Sequence, residues 1–182
     1  MSSRVLFMFH DGMEDIEAMA PLDILRRAEC ELLTVAVSTK RQVITKNDVP
    51  VMADECLRFP INADDFDALV IPGGPGIHPL RNHGYLSNII DSMYQQHKWI
   101  AAICAAPLLL KDQGLLEARN YTSHTSTKDE LPDRITDKKV VVDGCVITSQ
   151  GAGTAIEFGL KLVEILVSKE KAVEIGKAIC FL

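Results

Sequence analysis

No Cys-x-x-Cys pair occurs in this chain, and its five cysteines, Cys30, Cys56, Cys104, Cys145 and Cys180, are odd in number and irregularly spaced. That pattern argues against zinc ribbons and against thioredoxin-type redox chemistry. With nearly half of 182 residues apolar, the chain can bury a substantial core without a disulfide framework, so a reducing, cytoplasmic setting is expected. No block of Lys and Arg stands out against a formal net charge of -6, so no nucleic-acid footprint is expected. No apolar run reaches transmembrane length, and Met1-Ser2-Ser3-Arg4 leads into a strand-like segment with no signal-peptide core, so neither membrane insertion nor secretion is expected. Repeats, low-complexity stretches and long linkers are missing too, which leaves a single domain over 1–182 as the simplest organisation.

What is present alternates. Apolar runs at 5–9, 32–37, 67–71 and 99–103 read as buried strands, and helical patterns cover 14–28, 86–97, 107–113, 154–167 and 169–179. Pro21 inside the first helix removes a donor beside Glu17 and predicts an irregularity there. Asn47-Asp48 between β-prone stretches predicts a hairpin over 43–53, and Asp143-Gly144 predicts another between 140–142 and 145–148. A short strand is expected over 120–123, and Thr154 with Glu157 has the form of a capping box. Strands alternating with helices imply an α/β sandwich on a parallel sheet, whose sites form at the carboxyl ends of the strands. Four segments fall at such ends: His10-Asp11-Gly12, Gly73-Gly74, Cys104 and His124.

The Cys104 segment is the most informative. Trp99-Ile100-Ala101-Ala102-Ile103 ends at the cysteine, and Ala105-Ala106-Pro107 opens a helix at once. A strand turning this sharply into a helix puts the thiol at a corner near free backbone N–H groups, which favour the nucleophilic thiolate. Most buried cysteines are inert packing, so the case rests on what converges on the corner. Gly73-Gly74 after a strand can present backbone N–H groups to an anion, where a plain tight turn is the simpler reading. Glu17 is either a solvated helix residue or a general acid/base beside Cys104; a protonated Glu17 would stabilise the thiolate and an ionised one would oppose it. His124, between Ser123 and Thr125, is either a loop histidine or an imidazole that moves a proton. His10, His78, His83 and His97 have no metal spacing and read as structural or surface residues, so no metal site is expected. Gly151-Ala152-Gly153 fails as a dinucleotide fingerprint because Ile156 stands where the third glycine belongs, so no nicotinamide or flavin is expected and no cofactor is assigned.

Asp11-Gly12-Met13-Glu14-Asp15-Ile16-Glu17, Pro21 to Ala28, Val70-Ile71-Pro72-Gly73-Gly74, Ala101 to Pro107 and Thr148 to Thr154 together resemble the ThiJ/PfpI superfamily. Within it, they are similar to the Parkinson-associated protein deglycase branch. The resemblance covers essentially the whole chain. It implies a flavodoxin-like fold with helices on both faces, a homodimer with Arg26 and Arg27 near the interface, and Cys104 as an oxidisable elbow nucleophile. It also implies Glu17 as the carboxyl bonded to that cysteine, Gly74 and Ala105 as anion-binding N–H donors, and His124 as the residue assisting glyoxalase chemistry. Asn47 stands where this branch carries an arginine, Met52 replaces one of its peripheral cysteines, and no proline follows His124.

The implied activity is cofactor-free, glutathione-independent conversion of a small dicarbonyl such as methylglyoxal or glyoxal to its hydroxy acid, with deglycase activity beside it. A redox sensor or stress chaperone acting through oxidation of Cys104 is the alternative. An intracellular peptidase would need a histidine directly after the nucleophile, where this chain has Ala105. A glutamine amidotransferase would need a His-x-Glu pair after Thr154, and none occurs. The larger chaperone-glyoxalases carry an extra domain for which this chain is too short.

Overall fold

The computed structural model describes residues 2–57 and 60–182. In chain order the elements are β1 (Arg4–Phe9), α1 (Asp15–Arg27), β2 (Glu31–Ala36), β3 (Gln42–Ile44), β4 (Pro50–Met52), β5 (Glu55–Cys56), β6 (Ala68–Ile71), α2 (Ile77–Leu80) and α3 (Gly84–Gln95). They continue with β7 (Trp99–Ile103), α4 (Pro107–Asp112), β8 (Val140–Asp143), β9 (Val146–Ser149), α5 (Ala155–Leu166) and α6 (Lys169–Ala178).

Seven strands form one sheet in the order β5-β2-β1-β6-β7-β9-β8, parallel throughout except for the β8–β9 hairpin. The inner strands β6 (Ala-Leu-Val-Ile) and β9 (Val-Ile-Thr-Ser) are buried at every position, as expected for strands covered on both faces. The chain leaves β1 toward β2 on one side and returns to pair β6 on the other, so strand order reverses between β1 and β6. A crevice opens at the carboxyl ends of the strands beside such a reversal, and the site is found there. Hairpin β3–β4 stands apart as a two-stranded ribbon with Asp48 at φ 62° in its turn.

Helix α1 starts where Glu14 caps it, its carboxylate accepting the Glu17 N–H at 2.9 Å, and it ends in Arg26-Arg27. The helix continues through Pro21, which leaves the Glu17 carbonyl without its usual N–H donor. This turn packs on α5 at Gly159, where a Cβ would come within 3.0 Å of Pro21 Cα and 2.9 Å of Ile24 Cδ1. The close approach of α1 to α5 fixes the face of α1 that carries Glu17.

Two expectations need correction, and one strand lacked any signal. Residues 120–123 form no strand: the Thr122 N–H donates to the Thr148 side chain rather than to a backbone ladder, at 2.9 Å. The Thr154 hydroxyl does not cap α5 with Glu157. It turns back to the Gly151 backbone, accepting that N–H at 3.1 Å and donating to that carbonyl at 2.8 Å, while Glu157 pairs with Lys139. The strand without a signal is β5, whose two residues are too few to show any periodicity. No helix among the described residues is long and apolar enough to cross a membrane.

Candidate active site

Cys104 follows β7 directly and is held at φ 66°, a conformation that costs an L-residue roughly 1–2 kcal/mol. Two neighbouring segments hold it there. Its N–H donates to the Ser149 carbonyl at the end of β9, and its carbonyl accepts the His124 N–H, both at 2.9 Å. Strain over-determined in this way, at the mouth of a crevice, is a mark of functional sites.

Glu17 is 1 % exposed, so the solvated reading fails. Its carboxyl hydrogen-bonds the Cys104 thiol, accepts the Gly73 N–H at 3.1 Å and takes a further backbone hydrogen bond from Ala152. Burial, with repulsion from Glu14 behind it, pushes the Glu17 carboxyl up to about 7. Burial first, and then the facing Glu17 carboxylate, pushes the Cys104 thiol up to about 12, against the pull of the Gly74 and Ala105 N–H groups. A helix N-terminus therefore does not create a free-standing thiolate here; α4 is short, and desolvation outweighs it. The pair instead holds a single proton once the pH rises above about 7. The thiolate exists when Glu17 holds that proton, and two backbone N–H groups then face the sulfur.

The Pro-Gly-Gly loop divides its donors. The Gly73 N–H goes to Glu17, and the Gly74 N–H goes to Cys104. Gly74 sits at φ 101°, where a Cβ would run into the Gly12 carbonyl and lie 2.7 Å from the Glu14 nitrogen. Only glycine lets the two loops lie this close.

His124 is exposed, and its Nδ1 accepts the Ser126 N–H at 3.1 Å. That places the neutral ring's proton on Nε2. The Cδ2 edge beside Nε2 faces Gly151, where a Cβ would be 3.3 Å from Cδ2, 3.6 Å from Glu17 Oε1 and 3.9 Å from Cys104 Sγ. Cys104, Glu17, Gly74, Ala105 and His124 thus line one cavity of about 310 Å³, together with Glu14, Lys46, Pro75, His78, Ser126 and Ala152. The volume suits a molecule of a few heavy atoms. Lys46 and Ala152 carried no signal in the sequence, and His78 read as structural or surface; they reach the cavity from the β3–β4 turn, from the turn before α5 and from α2, segments far apart in the chain. Among the remaining histidines, His83 caps α3 and His10 is buried. No group of three or more His, Cys, Asp or Glu among the described residues could hold a metal.

Fold and corner define a class: flavodoxin-like α/β proteins with a cysteine on a strained strand-to-helix elbow. The chain belongs to the DJ-1/PfpI family, whose sequence pattern matches residues 3–165. It is 35% identical to Drosophila melanogaster dj-1beta over 98% of this chain and 97% of the relative. The glutathione-independent glyoxalase DJ-1 of Schizosaccharomyces pombe is also 35% identical, over 92% of this chain and 93% of that one. The crystal structure of Drosophila DJ-1beta superposes with a TM-score of 0.94 and 35% identity, covering 100% of both chains. A structure of oxidized DJ-1 from Toxoplasma gondii gives 0.91 and 32% identity over 99% of each chain.

Proposed function

We propose that this protein is a glutathione-independent glyoxalase converting methylglyoxal or glyoxal to lactate or glycolate, with Cys104 as nucleophile. The observation carrying this reading is a buried carboxyl in hydrogen-bond contact with a buried thiol, both lining a small cavity. With the proton on Glu17, Cys104 Sγ attacks the aldehyde carbon, and Glu17 protonates the resulting alkoxide to give a hemithioacetal. The Gly74 and Ala105 N–H groups hold the oxyanion on the way. Glu17, now ionised, takes the proton from the aldehyde carbon while His124 Nε2–H protonates the second oxygen, giving an enediol. Glu17 returns its proton to the second carbon, and the first hydroxyl gives its proton back to His124, leaving a hydroxyacyl thioester. Water cleaves the thioester, releasing the acid and restoring the shared proton. No step requires a metal or an organic cofactor.

The same chemistry, directed at early glycation adducts, would give deglycase activity. A homodimer is supported by Ile16, Ile44, Val49 and Met52, four exposed apolar residues on α1 and the β3–β4 hairpin. Asp15 ties these two elements together by accepting from Thr45 and Asn47, both at 2.7 Å. The single-domain organisation over 1–182 and a cytoplasmic setting complete the proposal. A second reading, oxidation of Cys104 to a sulfinate that alters partner binding, is favoured by the donors around the sulfur: two backbone N–H groups and a protonated Glu17 would hold the oxidised group. Lactate formation from methylglyoxal without glutathione tests the first reading. Turnover supports it, whereas no turnover with rapid reaction of Cys104 with peroxide moves the assignment to the second.

A further inference from the structure

His10 is 1 % exposed, and both ring nitrogens face carbonyl oxygens: Nε2 lies 3.1 Å from the Pro72 oxygen and Nδ1 lies 3.1 Å from the Asp11 oxygen. The Pro72 carbonyl and the Gly73 N–H are two ends of one planar peptide. One end meets His10, and the other delivers its N–H to Glu17. The next peptide is anchored the same way, its Gly73 carbonyl accepting the Glu14 N–H at 3.1 Å while its Gly74 N–H bonds Cys104. The loop after β1 therefore grips the carbonyl ends of two successive peptides whose N–H ends hold the two reacting groups.

We propose that His10 is a positioning residue for the proposed reaction, donating Nε2–H to the Pro72 carbonyl and thereby orienting and strengthening the Gly73 N–H that holds Glu17. A hydrogen bond at a peptide's oxygen polarises the peptide and makes its N–H a better donor. Burial keeps the ring neutral by lowering its pKa, so it has a single N–H for two carbonyls. Asp11 is the charged neighbour acting on it, and its carboxylate is engaged by the Ile44 N–H at 2.8 Å; the facing loop brings the Pro72 carbonyl and the Gly76 backbone to the ring. Bonding to Asp11 joins His10 only to the next residue, whereas bonding to Pro72 joins two loops 62 positions apart. The Gly76 backbone closes the remaining side, since a Cβ there would lie 2.6 Å from His10 Nδ1.

The inference rests on the roles given above to Glu17 and Cys104, and the test separates the two. His10→Gln keeps an amide nitrogen near the Nε2 position, while His10→Asn can reach only the Asp11 side. His10→Asn should lower kcat by about tenfold at nearly constant KM and move the acid limb of the kcat profile up by about half a pH unit, because Glu17 loses a stabilising donor. His10→Gln should restore both. Asn and Gln variants that behave alike would overturn the proposal, as would a wild-type ¹⁵N spectrum showing His10 with Nδ1–H and a bare Nε2. If Cys104→Ser retained turnover, the glyoxalase roles themselves would fail. A dead Cys104→Ser with indifferent His10 variants would remove only this inference.

Discussion

Two tight turns in this fold use nearly the same backbone angle for opposite reasons. Gly144, in the β8–β9 hairpin, sits at φ 57°, and Cys104, after β7, sits at φ 66°. Asp143-Gly144 is encoded locally: glycine enters the left-handed region without penalty, and the Asp143 carboxylate accepts the Asn120 N–H at 2.9 Å. At Cys104 the residue type disfavours the angle, and beyond one turn bond from the Ala106 N–H to the Ile103 carbonyl its support is remote. Hydrogen bonds to Ser149 and His124, distant in sequence, impose it. The first turn serves stability, while the second spends stability to hold a thiol against Glu17.

That contrast predicts separable defects. Cys104→Ser should abolish dicarbonyl turnover, by about 10³-fold or more, while leaving the melting temperature within a few degrees, since two atoms of similar size exchange at one strained position. Lactate assays beside calorimetry check this; substantial residual turnover would end the nucleophile assignment.

Glu17→Gln sharpens the comparison by splitting activity from stability within the site. Turnover should fall by about 10²–10⁴-fold as proton shuttling is lost, while alkylation of Cys104 persists. In the wild type, kcat should decline as pH falls through about 7, where the Glu17–Cys104 pair takes up a second proton and no thiolate remains to attack. The stability sign is opposite. A carboxyl raised from 4.5 to about 7 binds its proton more tightly in the folded state, so its contribution is complete below pH 4.5, declines between 4.5 and 7 and stays lost above. Glu17→Gln should accordingly be more stable than wild type at pH 8, by up to about 3 kcal/mol, with the advantage shrinking toward pH 4.5. Denaturant melts at the two pH values decide it.

Gly144→Ala is the converse. It should cost about 1–2 kcal/mol, from the left-handed angle and from contact between the new methyl and Arg119, with kcat/KM unchanged. A large loss of activity there would mean that the hairpin communicates with the crevice. Smallest of all, Asn47→Ala should remove about 0.5–1 kcal/mol by freeing one Asp15 oxygen.

The same contrast explains what the sequence could show. The alternation of buried strands and helices, the hairpin at Asp143-Gly144 and the abrupt passage from Ile103 to Pro107 are local patterns, and each appears in the fold. Glu17 and Cys104 stood out by their places in motifs, and the structure puts them in hydrogen-bond contact. The rest depended on partners far along the chain. In residues 120–123 the Thr122 N–H bonds to a side chain of β9 instead of to its backbone, a choice that propensity alone could not reveal. Thr154 has two acceptable uses for its hydroxyl, and only the placement of Gly151 selects between them. His10 stood at a strand end and read as structural or surface, with no sign that Pro72 would face it.

The sheet also ends in a particular way. One border is β5, two residues long, and the other is β8, the outer arm of a hairpin preceded by Lys138 and Lys139. Neither offers a long, flat, apolar row of unpaired backbone groups on which another chain could add a strand. Short, charged borders of this kind guard a sheet against growing edge to edge into fibres.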